Sequence, residues 1–375
     1  MKIMHISDLH LGKRVNEISM LEEQRHILGQ ILDIAVNEQV NAILAAGDIY
    51  DKQIPSEEAV QLFDDFLVKA SALKIPLFAI SGNHDSPERV SFGARLMIPS
   101  GIYLSQVYSG NQPPVTLTDE YGEVNIYMLP FVRPSAVRPY FEGENITSYD
   151  DAVRTAVKNM NVDTQKRNII IAHQFVTGAV RCESETVMVG GLDNIGADIF
   201  DIFDYAALGH IHGAQHISRP ETRYCGTPLK YSLSEAGQQK SVTIAELREK
   251  GNVNISTVKL SPIHDMRVIR GTYAEVTDPG FYTDNDRFDY VHIVLTDEQD
   301  IHDAVGRLRR IYPNIMKLDY DNLRTKASDI LSAQAQEDNS PEEMFAEFYK
   351  KYNNAEMNDE QKKYISDAVA ALWNE

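Results

Sequence analysis

The sequence predicts an α/β fold that is followed by a small α+β module and a pair of C-terminal helices. Short apolar runs typical of buried strands alternate with amphipathic helical segments through residues 2–80. Shorter strand-like runs follow from about residue 100 and suggest a second sheet, and the pattern changes again near residue 262. Because ligands bind beyond the carboxyl ends of the strands in open α/β sheets, the functional site is expected at those ends.

Three strands and two helices are predicted in the first part of the chain. The strands cover residues 2–6, 41–46 and 76–80, and the helices cover residues 20–38 and 56–73. Apolar residues recur on one face of each helix at a spacing near 3.6 residues. The buried stripe of the second helix is expected to consist of Val60, Phe63, Phe66, Leu67 and Ala70.

The later part of the chain is predicted to contain two further domains. Buried strands are expected over residues 168–172 and 205–208, and residues 263–320 are predicted to form a strand, a strand, a helix and a strand. A polar, linker-like stretch follows. The expected domains are therefore residues 1–262, residues 263–325 with a capping role, and residues 326–375 with the linker and a helix pair.

The C-terminal helix pair carries much aromatic surface. Ser340-Pro341-Glu342-Glu343 is a capping box with proline at the first helical position, so a helix is expected to begin there. Either the pair packs on its own domain or it docks on a partner, and the polar linker ahead of it favours docking. The residues expected to contact that partner are Phe345, Phe348, Tyr349, Tyr352, Ile365, Leu372 and Trp373.

The composition is that of a soluble globular protein and is strongly acidic. The 375 residues are 43% hydrophobic and 24% charged, with 36 basic and 55 acidic residues and a formal net charge of −19. By itself this balance argues against broad binding to nucleic acid. No membrane-length apolar run and no signal peptide is visible, and Cys182 and Cys225 show no metal-type spacing. A cytoplasmic protein with reduced thiols is expected.

Five short motifs at strand ends supply side chains that bind metals. Each is weak alone, and residues 81–85 could be a polar turn at which Gly82 lets the backbone bend. Together they offer two carboxylates, one amide and four imidazoles, which is too many for one ion and suits two ions. Mixed nitrogen and oxygen ligands favour manganese, iron or zinc over calcium. The candidate ligands are Asp8, His10, Asp48, Asn83, His173, His210 and His212.

A two-metal site with these ligands predicts a phosphate ester as the substrate. Two divalent ions, two carboxylates and a bridging hydroxide leave a net positive charge that attracts the ester. Asp48 is the expected bridge because a carboxylate can bind one ion with each oxygen. His84 follows Asn83 and is the candidate to contact the scissile phosphate and protonate the leaving oxygen. Asp85 is expected to orient His84 through its other ring nitrogen.

The ordered motif set resembles the calcineurin-like metallophosphoesterase superfamily. The set is Asp8-x-His10, Gly47-Asp48-x-x-Asp51, Gly82-Asn83-His84-Asp85, His173 and Gly209-His210-x-His212, with no substitution. Further runs narrow the resemblance to the SbcD family of nuclease subunits, over nearly the whole chain and most weakly beyond about residue 320. These runs are residues 6–13, residues 206–212, residues 224–232, Ser184-Glu185 ahead of Val189-Gly190-Gly191, and Leu308-Arg309 ahead of Tyr312-Pro313.

The resemblance implies a fold, an activity and partners. The implied fold is a two-sheet metallophosphoesterase sandwich flanked by helices, with a small capping domain over the DNA side. The implied activity is manganese-dependent cleavage of DNA phosphodiesters, with 3′–5′ exonuclease action on duplex ends and endonuclease action on single strands and hairpins. The implied assembly is a homodimer within a heterotetramer that contains an SMC-like ATPase of the SbcC type, bound by the C-terminal helices.

By motif position, the resemblance also divides the ligands between two ions. One ion would be held by Asp8, His10, Asp48 and His212. The other would be held by Asp48, Asn83, His173 and His210. His84 would keep the catalytic role already given to it. A minor departure from the family is that Cys225 and Thr227 stand where many relatives have small residues and serine.

An acidic subunit that binds DNA needs additional positive charge, because a duplex carries about one negative charge per 1.7 Å of its axis. The metal ions and the ATPase partner would supply some of them. Basic residues near the mouth of the site could supply more, although they could equally be ordinary solvated surface. The candidates are Lys13, Arg14, Arg89, Arg133 and Arg138.

Two other functions stay open from the residues alone. A small-molecule or protein phosphoesterase of the same superfamily would need neither the capping module nor the aromatic helix pair, and both are predicted here. A scaffolding subunit with an inactive site would be expected to have lost Asn83 or His84, and both are present.

Overall fold

A computed structural model describes residues 1–185, 193–282, 286–322, 345–346, 349–350, 356–359 and 361–366. The strands, in chain order, are β1 (Lys2–Ile6), β2 (Arg14–Val15), β3 (Ile18–Ser19), β4 (Ala42–Ala46), β5 (Leu77–Ile80), β6 (Ile102–Leu104), β7 (Val115–Asp119), β8 (Gly122–Leu129), β9 (Arg167–His173), β10 (Phe175–Val176), β11 (Asn194–Ile195), β12 (Tyr205–Gly209), β13 (Gln215–Ile217), β14 (Arg219–Tyr224), β15 (Ser241–Leu247), β16 (Val253–Lys259), β17 (Met266–Gly271), β18 (Tyr290–Leu295) and β19 (Ile315–Tyr320). The α-helices are α1 (Leu21–Asn37), α2 (Glu57–Ala72), α3 (Pro87–Val90), α4 (Ala94–Met97), α5 (Pro134–Val137), α6 (Tyr149–Lys158), α7 (Tyr273–Val276) and α8 (Ala304–Leu308).

The first large sheet has the strand order β16-β15-β1-β4-β5-β6. Strands β1, β4, β5 and β6 run parallel, whereas β15 is antiparallel to β1 and β16 is antiparallel to β15. The loops that follow β1, β4 and β5 therefore leave the sheet at the same edge, which is where ligands bind in such sheets.

The second large sheet has the strand order β13-β14-β12-β9-β8-β7. Strands β8, β9, β12 and β14 run parallel, and the outer strands β7 and β13 are antiparallel to their neighbours. The shorter strand-like runs after residue 100 predicted a second sheet, and the structure confirms it.

The two large sheets share an apolar core. It is formed in part by Leu44 and Phe78 of the first sheet and by Ile169 and Ile171 of the second, all fully buried. Alternate residues of β9 point the other way, and Ile170 belongs to a separate core that includes residues of α6. Strand β9 is thus buried on both faces, which explains the uninterrupted apolar run over residues 169–172. The packing of the sheets brings their carboxyl ends to one side of the sandwich.

The first two helices form where they were predicted, with one correction. Ser56 begins α2, and its side chain accepts a hydrogen bond from the N–H of Ala59 at 3.3 Å. The placement of Val60 in the buried stripe is wrong, because this side chain is 45% exposed. Each residue advances about 100° around a helix, so Val60 lies off the face on which its neighbour Ala59 is buried. The buried residues of α2 are Ala59, Leu62, Phe63, Phe66, Leu67 and Ala70.

The chain divides into two compact units. One contains Met1–Val268 and Asp284–His292, and the other contains Ile269–Thr283 and Ile293–Glu375. The strand, strand, helix and strand predicted for residues 263–320 are found as β17, β18, α8 and β19, with the short helix α7 in addition. The division into three domains at residues 262 and 325 stays a prediction. None of the helices in the described part of the chain combines the length and apolar character needed to cross a bilayer.

Candidate metal centre

The seven candidate ligands lie together at the carboxyl ends of strands from both large sheets. The loops after β1, β4 and β5 supply Asp8, His10, Asp48 and Asn83. Strand β9 and the loop after β12 supply His173, His210 and His212. The two carboxylates and four imidazoles are at most 7% exposed. The structure therefore brings together every candidate ligand, while their role as metal ligands stays a prediction.

Asp8, His10 and His212, here named the Asp8 group, form one side of the site. Each offers a ligand atom, and these atoms lie within 4.8 Å of one another. The Nε2 atoms of His10 and His212 are 3.2 Å apart. His10 Nε2 is also 3.7 Å from Oδ2 of Asp48. The Asp8 group therefore borders Asp48.

Asn83, His173 and His210, here named the Asn83 group, form the other side. Oδ1 of Asn83 is 3.0 Å from Nε2 of His173 and 2.8 Å from Nδ1 of His210. His173 Nε2 is 3.4 Å from Oδ2 of Asp48. Asp48 is thus the residue that both groups share.

The spacing of these atoms fits metal ions. Ligand atoms about 2.1 Å from one ion, at right or tetrahedral angles, are about 3.0–3.4 Å from each other. The contacts of His10 with His212 and of His173 with Asp48, at 3.2 and 3.4 Å, have this spacing. Two facing imidazole nitrogens repel each other unless a proton or a cation lies between them. The set of nitrogen and oxygen atoms therefore fits two divalent ions of the transition-metal type.

The charges of the site depend on its burial and on Asp48. Burial opposes ionisation of Asp48, but His173 beside it holds the pKa of that carboxyl well below its usual range. Burial likewise opposes protonation of His173, but the Asp48 carboxylate raises the pKa of this imidazole to about 9. Burial and the neighbouring His173 lower the pKa of His210 to about 3, and burial lowers that of His10. Without metal, His173 therefore keeps a proton at neutral pH.

Four of the candidate ligands have a strained backbone. The φ angles are +51° at Asp8, +43° at His10, +48° at Asp48 and +101° at His210. A left-handed conformation at a residue other than glycine costs about 1–3 kcal/mol and persists only where the surroundings enforce it. Such strain is concentrated at functional sites, so its presence at four of these positions supports a functional role for the cluster.

Two glycines allow the loops of the site to approach closely. A Cβ atom on Gly82 would lie 2.1 Å from Oδ1 of Asp48. A Cβ atom on Gly209 would lie 1.8 Å from the carbonyl oxygen of Ala46 and 2.7 Å from Nδ1 of His173. The sequence suggests Gly82 as a bend, whereas the structure shows that its missing side chain leaves room for Asp48.

His84 and Asp85 differ in what they do. Nδ1 of His84 is 3.0 Å from the backbone carbonyl of Asp51, and its Nε2 is 4.0 Å from Oδ2 of Asp48. The Asp85 carboxylate instead accepts hydrogen bonds from the backbone N–H groups of Gly82, Ile49 and Tyr50, at 2.8, 3.0 and 2.8 Å. The expectation that Asp85 orients the His84 ring is therefore corrected. The buried N–H groups of two adjoining loops need an acceptor, and Asp85 provides it.

Sequence reasoning missed a set of polar residues behind His212. Ser184 Oγ lies 2.7 Å from Nδ1 of His212 and 2.6 Å from Oε1 of Glu235. Lys240 forms a buried ion pair with Glu235, with Nζ 2.5 Å from Oε2. Glu185 Oε1 accepts the backbone N–H of His212 at 2.6 Å. Only Ser184 and Glu185 had a sequence signal, since they belong to one of the runs that resemble a known family.

A cavity of about 430 Å³ opens beside the cluster. Asn83, His84 and His210 line it together with Phe131 and Arg133. The ligand cluster can therefore be reached by a substrate from this side.

The basic residues proposed for DNA contact have different surroundings. Arg133 is exposed beside the cavity, with its guanidinium carbon 5.9 Å from the centre of the Phe131 ring. Lys13 is ion-paired with Asp51 at 2.7 Å, so part of its charge is already neutralised. Arg14 and Arg89 are exposed. The guanidinium of Arg138 donates hydrogen bonds to the carbonyl of Ile146 at 2.8 and 3.1 Å.

The residues expected to contact a partner are described only in part. Phe345 is 41% exposed, and Tyr349 and Ile365 are half-buried. The remaining four, Phe348, Tyr352, Leu372 and Trp373, lie outside the described residues.

The chain is similar to proteins of known families. Residues 1–214 match the calcineurin-like phosphoesterase family, and residues 262–353 match the type 5 capsule protein repressor C-terminal domain, also named the SbcD C-terminal domain. The SbcD subunit of the nuclease SbcCD from Staphylococcus epidermidis is 33% identical over 322 residues, which are 85% of each chain.

Solved structures with lower similarity were also found. An archaeal phosphodiesterase has a TM-score of 0.32 at 14% identity, over 69% of this chain and all of its own. A dimetal phosphatase from Danio rerio has a TM-score of 0.38 at 11% identity, over 70% of this chain and 99% of its own. TM-scores this low support no conclusion about function.

Proposed function

The chain belongs to the calcineurin-like phosphoesterase family and is a metal-dependent phosphodiester hydrolase, and from that premise we propose that it is the DNA nuclease subunit of an SbcCD-type complex. The observation that carries the proposal is the convergence of six ligand-type side chains around a seventh, Asp48, with His84 at the opening. The proposed activity is 3′–5′ exonuclease action on duplex ends and endonuclease action on single strands and hairpins, in the repair, recombination and replication of DNA.

The proposed cofactors are two divalent ions, with Mn²⁺ as the preferred metal. The Asp8 group with Asp48 would hold one ion, and the Asn83 group with Asp48 would hold the other. When bound, a pair of ions supplies an activated water and positive charge for the attacking and leaving oxygens of a phosphodiester. The mixture of imidazole, carboxylate and amide ligands suits manganese and disfavours calcium.

His84 is the proposed catalytic acid. The carbonyl of Asp51 can only accept a hydrogen bond, so Nδ1 of His84 carries a hydrogen and the ring is held at that end. Nε2 is then the nitrogen on the side of Asp48, next to the cavity, where it can hold a proton for the leaving oxygen. Asp85 supports this arrangement indirectly, since it fixes the backbone turn from which His84 projects.

DNA is the proposed substrate despite the net charge of −19. Arg133 is the proposed phosphate contact with the strongest support, because it is exposed and lines the cavity beside His84. Arg14 and Arg89 would contact the backbone further out. Lys13 would contribute less, since Asp51 neutralises it. We expect the isolated subunit to bind DNA weakly, because it would lack the phosphate contacts that the partner supplies in the complex.

The proposed partners are an SMC-like ATPase of the SbcC type and a second copy of this chain. The ATPase would bind the aromatic C-terminal segment that includes Phe345 and Tyr349. The second copy would pack on the segment after the Gly-Asn-His-Asp motif, where Phe92 and Leu96 are 83% and 85% exposed. Large apolar side chains exposed to this degree in one segment are typical of a protein interface. The complex is expected to act on nucleoid DNA in the cytoplasm.

The test is cleavage of an end-labelled DNA hairpin with Mn²⁺, with and without the ATPase partner. We expect the wild-type protein to cut, and the His84→Ser variant to keep two metal ions but lose cleavage. Ser71→Ala, which removes a half-buried hydroxyl of α2 that donates a hydrogen bond to the carbonyl of Ser100, is the control. Intact DNA together with hydrolysis of an aryl phosphodiester would reject the nuclease assignment in favour of a small-molecule phosphoesterase. Absence of both activities would favour a scaffolding role.

A further inference from the structure

A buried polar chain leads from Lys240 through Glu235 and Ser184 to the imidazole of His212. Glu235 is fully buried and Lys240 is 7% exposed. The links are short: Lys240 Nζ to Glu235 Oε2 is 2.5 Å, Glu235 Oε1 to Ser184 Oγ is 2.6 Å, and Ser184 Oγ to His212 Nδ1 is 2.7 Å. None of these three residues lines the cavity beside His84, so the chain needs its own explanation.

The direction of the first hydrogen bond, between Lys240 and Glu235, is fixed because a lysine ammonium only donates hydrogen bonds. Besides Glu235, it donates to Thr227 Oγ1 at 2.7 Å and to Gln238 Oε1 at 2.8 Å. It also reaches the backbone carbonyl of His212 at 3.0 Å. Lys240 therefore anchors both ends of the chain, since it contacts Glu235 and the main chain of His212.

The direction of the second hydrogen bond, between Ser184 and Glu235, follows from a backbone amide. The N–H of Tyr231 can only donate, and it lies 3.3 Å from Oε1 of Glu235. This oxygen is therefore an acceptor, and the Ser184 hydroxyl must donate its hydrogen to it. The lone pairs of Ser184 Oγ are then the groups that face His212.

The last link determines the state of the imidazole. With its hydrogen given to Glu235, Ser184 Oγ can only accept from His212, so Nδ1 of His212 carries a hydrogen, and in the neutral ring Nε2 then carries the lone pair. Nε2 is the atom that lies 3.2 Å from Nε2 of His10. We infer that Ser184 is a positioning residue, which with Glu235 and Lys240 fixes the tautomer and ring orientation of His212 so that Nε2 can bind the ion shared with His10.

The other side of the site shows why a chain of three residues is needed. His173 has its Nδ1 2.8 Å from the carbonyl oxygen of Ala46, which can only accept. A hydroxyl can donate or accept, and Ser184 alone would allow either tautomer of His212. The Glu235–Lys240 pair removes this ambiguity. Removing an outer partner of this kind typically lowers the metal affinity about 10–100-fold.

The test uses the full chain and the variants Ser184→Ala and Ser184→Thr. Nitrogen-15 NMR of histidine-labelled, metal-free protein reports which ring nitrogen of His212 carries the hydrogen, and calorimetry with Mn²⁺ reports the affinity of each site. We expect wild type to show the Nδ1–H form of His212. In Ser184→Ala the spectrum of His212 should change, and the affinity of one of two ions should fall about 10-fold or more. Ser184→Thr keeps the hydroxyl and should restore both.

Other outcomes overturn the inference. It fails if Ser184→Ala keeps both the wild-type His212 spectrum and the wild-type affinities, or if it weakens both ions equally with a matching loss of thermal stability. Ser71→Ala, which removes an equally half-buried hydroxyl, controls for general effects. The inference rests on the proposed metal centre but not on DNA as the substrate. A wild-type protein that binds two ions and leaves DNA intact would reject only the nuclease proposal, whereas one that binds no metal would reject both.

Discussion

The Asp8 group and the Asn83 group are held in place by different kinds of atoms. In the Asn83 group, His173 is oriented by the backbone carbonyl of Ala46, which belongs to the centre of the first sheet. In the Asp8 group, His212 is oriented by Ser184, which is 28 positions away in the sequence, and through Ser184 by Glu235, which is 51 positions from Ser184. One half of the site therefore depends on the packing of the sheets, and the other depends on side chains that single substitutions can remove.

This difference suggests how the two halves would respond to mutation. A residue that serves both halves should have the largest effect on metal binding. A change at the backbone contact should damage the Asn83 group together with the fold. A change of pH above neutrality should act on the Asn83 group, because the pKa of His173 is raised to about 9.

The largest effect is expected from Asp48→Asn. Asp48 lies 3.4 Å from His173 and 3.7 Å from His10, so its charge serves both groups. We expect both Mn²⁺ ions to bind at least about 100-fold more weakly, the upper limit for losing an outer partner, with a similar loss of cleavage. Calorimetry and metal content after dialysis measure the first effect. Asp65→Asn, at a half-exposed carboxylate 3.5 Å from Arg25, is the control. A variant that loses only one ion would show that Asp48 is not shared.

The next effect is expected from Gly209→Ala. The added methyl would lie 1.8 Å from the carbonyl oxygen of Ala46 and 2.7 Å from Nδ1 of His173. We expect the free energy of unfolding to fall by about 1–3 kcal/mol, as for other overpacked cores, and the ion of the Asn83 group to be lost first. Urea denaturation and Mn²⁺ titration measure the two effects.

The matched control is Gly29→Ala. A Cβ at Gly29 meets nothing within 4 Å, and this glycine lies inside α1. Alanine there should raise the free energy of unfolding by about 0.5–1 kcal/mol. Equal destabilisation by both substitutions would contradict the role given to Gly209.

The smallest effect is a pH dependence that should distinguish the two halves. The pKa of His173 is about 9 without metal, so between pH 7 and 9 an ion must displace its proton. His10 and His210 have lowered pKa values and have no proton to lose in this range. We expect the binding of one ion to strengthen up to about tenfold per pH unit from pH 7 towards pH 9 and to release about one proton.

Calorimetry in two buffers with different heats of ionisation measures that proton release. Proton release on binding of the other ion, measured over the same range, is the comparison. Proton release that is divided equally between the two ions, or that is absent, would show that His173 is not the protonated ligand of the metal-free site.

The local pattern of the sequence was enough to predict the strands β1, β4, β5, β9 and β12, the helices α1 and α2, and the residues at the strand ends, whereas α6 was not predicted. Apolar runs identify buried strands, and the residues just beyond them must lie at the edge of a parallel sheet. This is why Asp8, Asp48 and Asn83 could be selected as candidates from the order of residues alone. The same local rules fail at the edge of the apolar stripe of a helix, as at Val60 in α2. Helical periodicity does not say which edge of the stripe a neighbouring element covers.

Contacts between distant residues were decided only by the tertiary structure. That Asp85 satisfies N–H groups of two loops, that Gly82 leaves room for Asp48, and that Ser184, Glu235 and Lys240 support His212 all depend on how segments distant in the sequence pack together. Spacing along the chain carries no information on such pairs, because each hydrogen bond requires two side chains to be placed within a few tenths of an ångström. The sequence by itself thus determines which types of ligand side chain are present, whereas the packed fold determines how they are oriented.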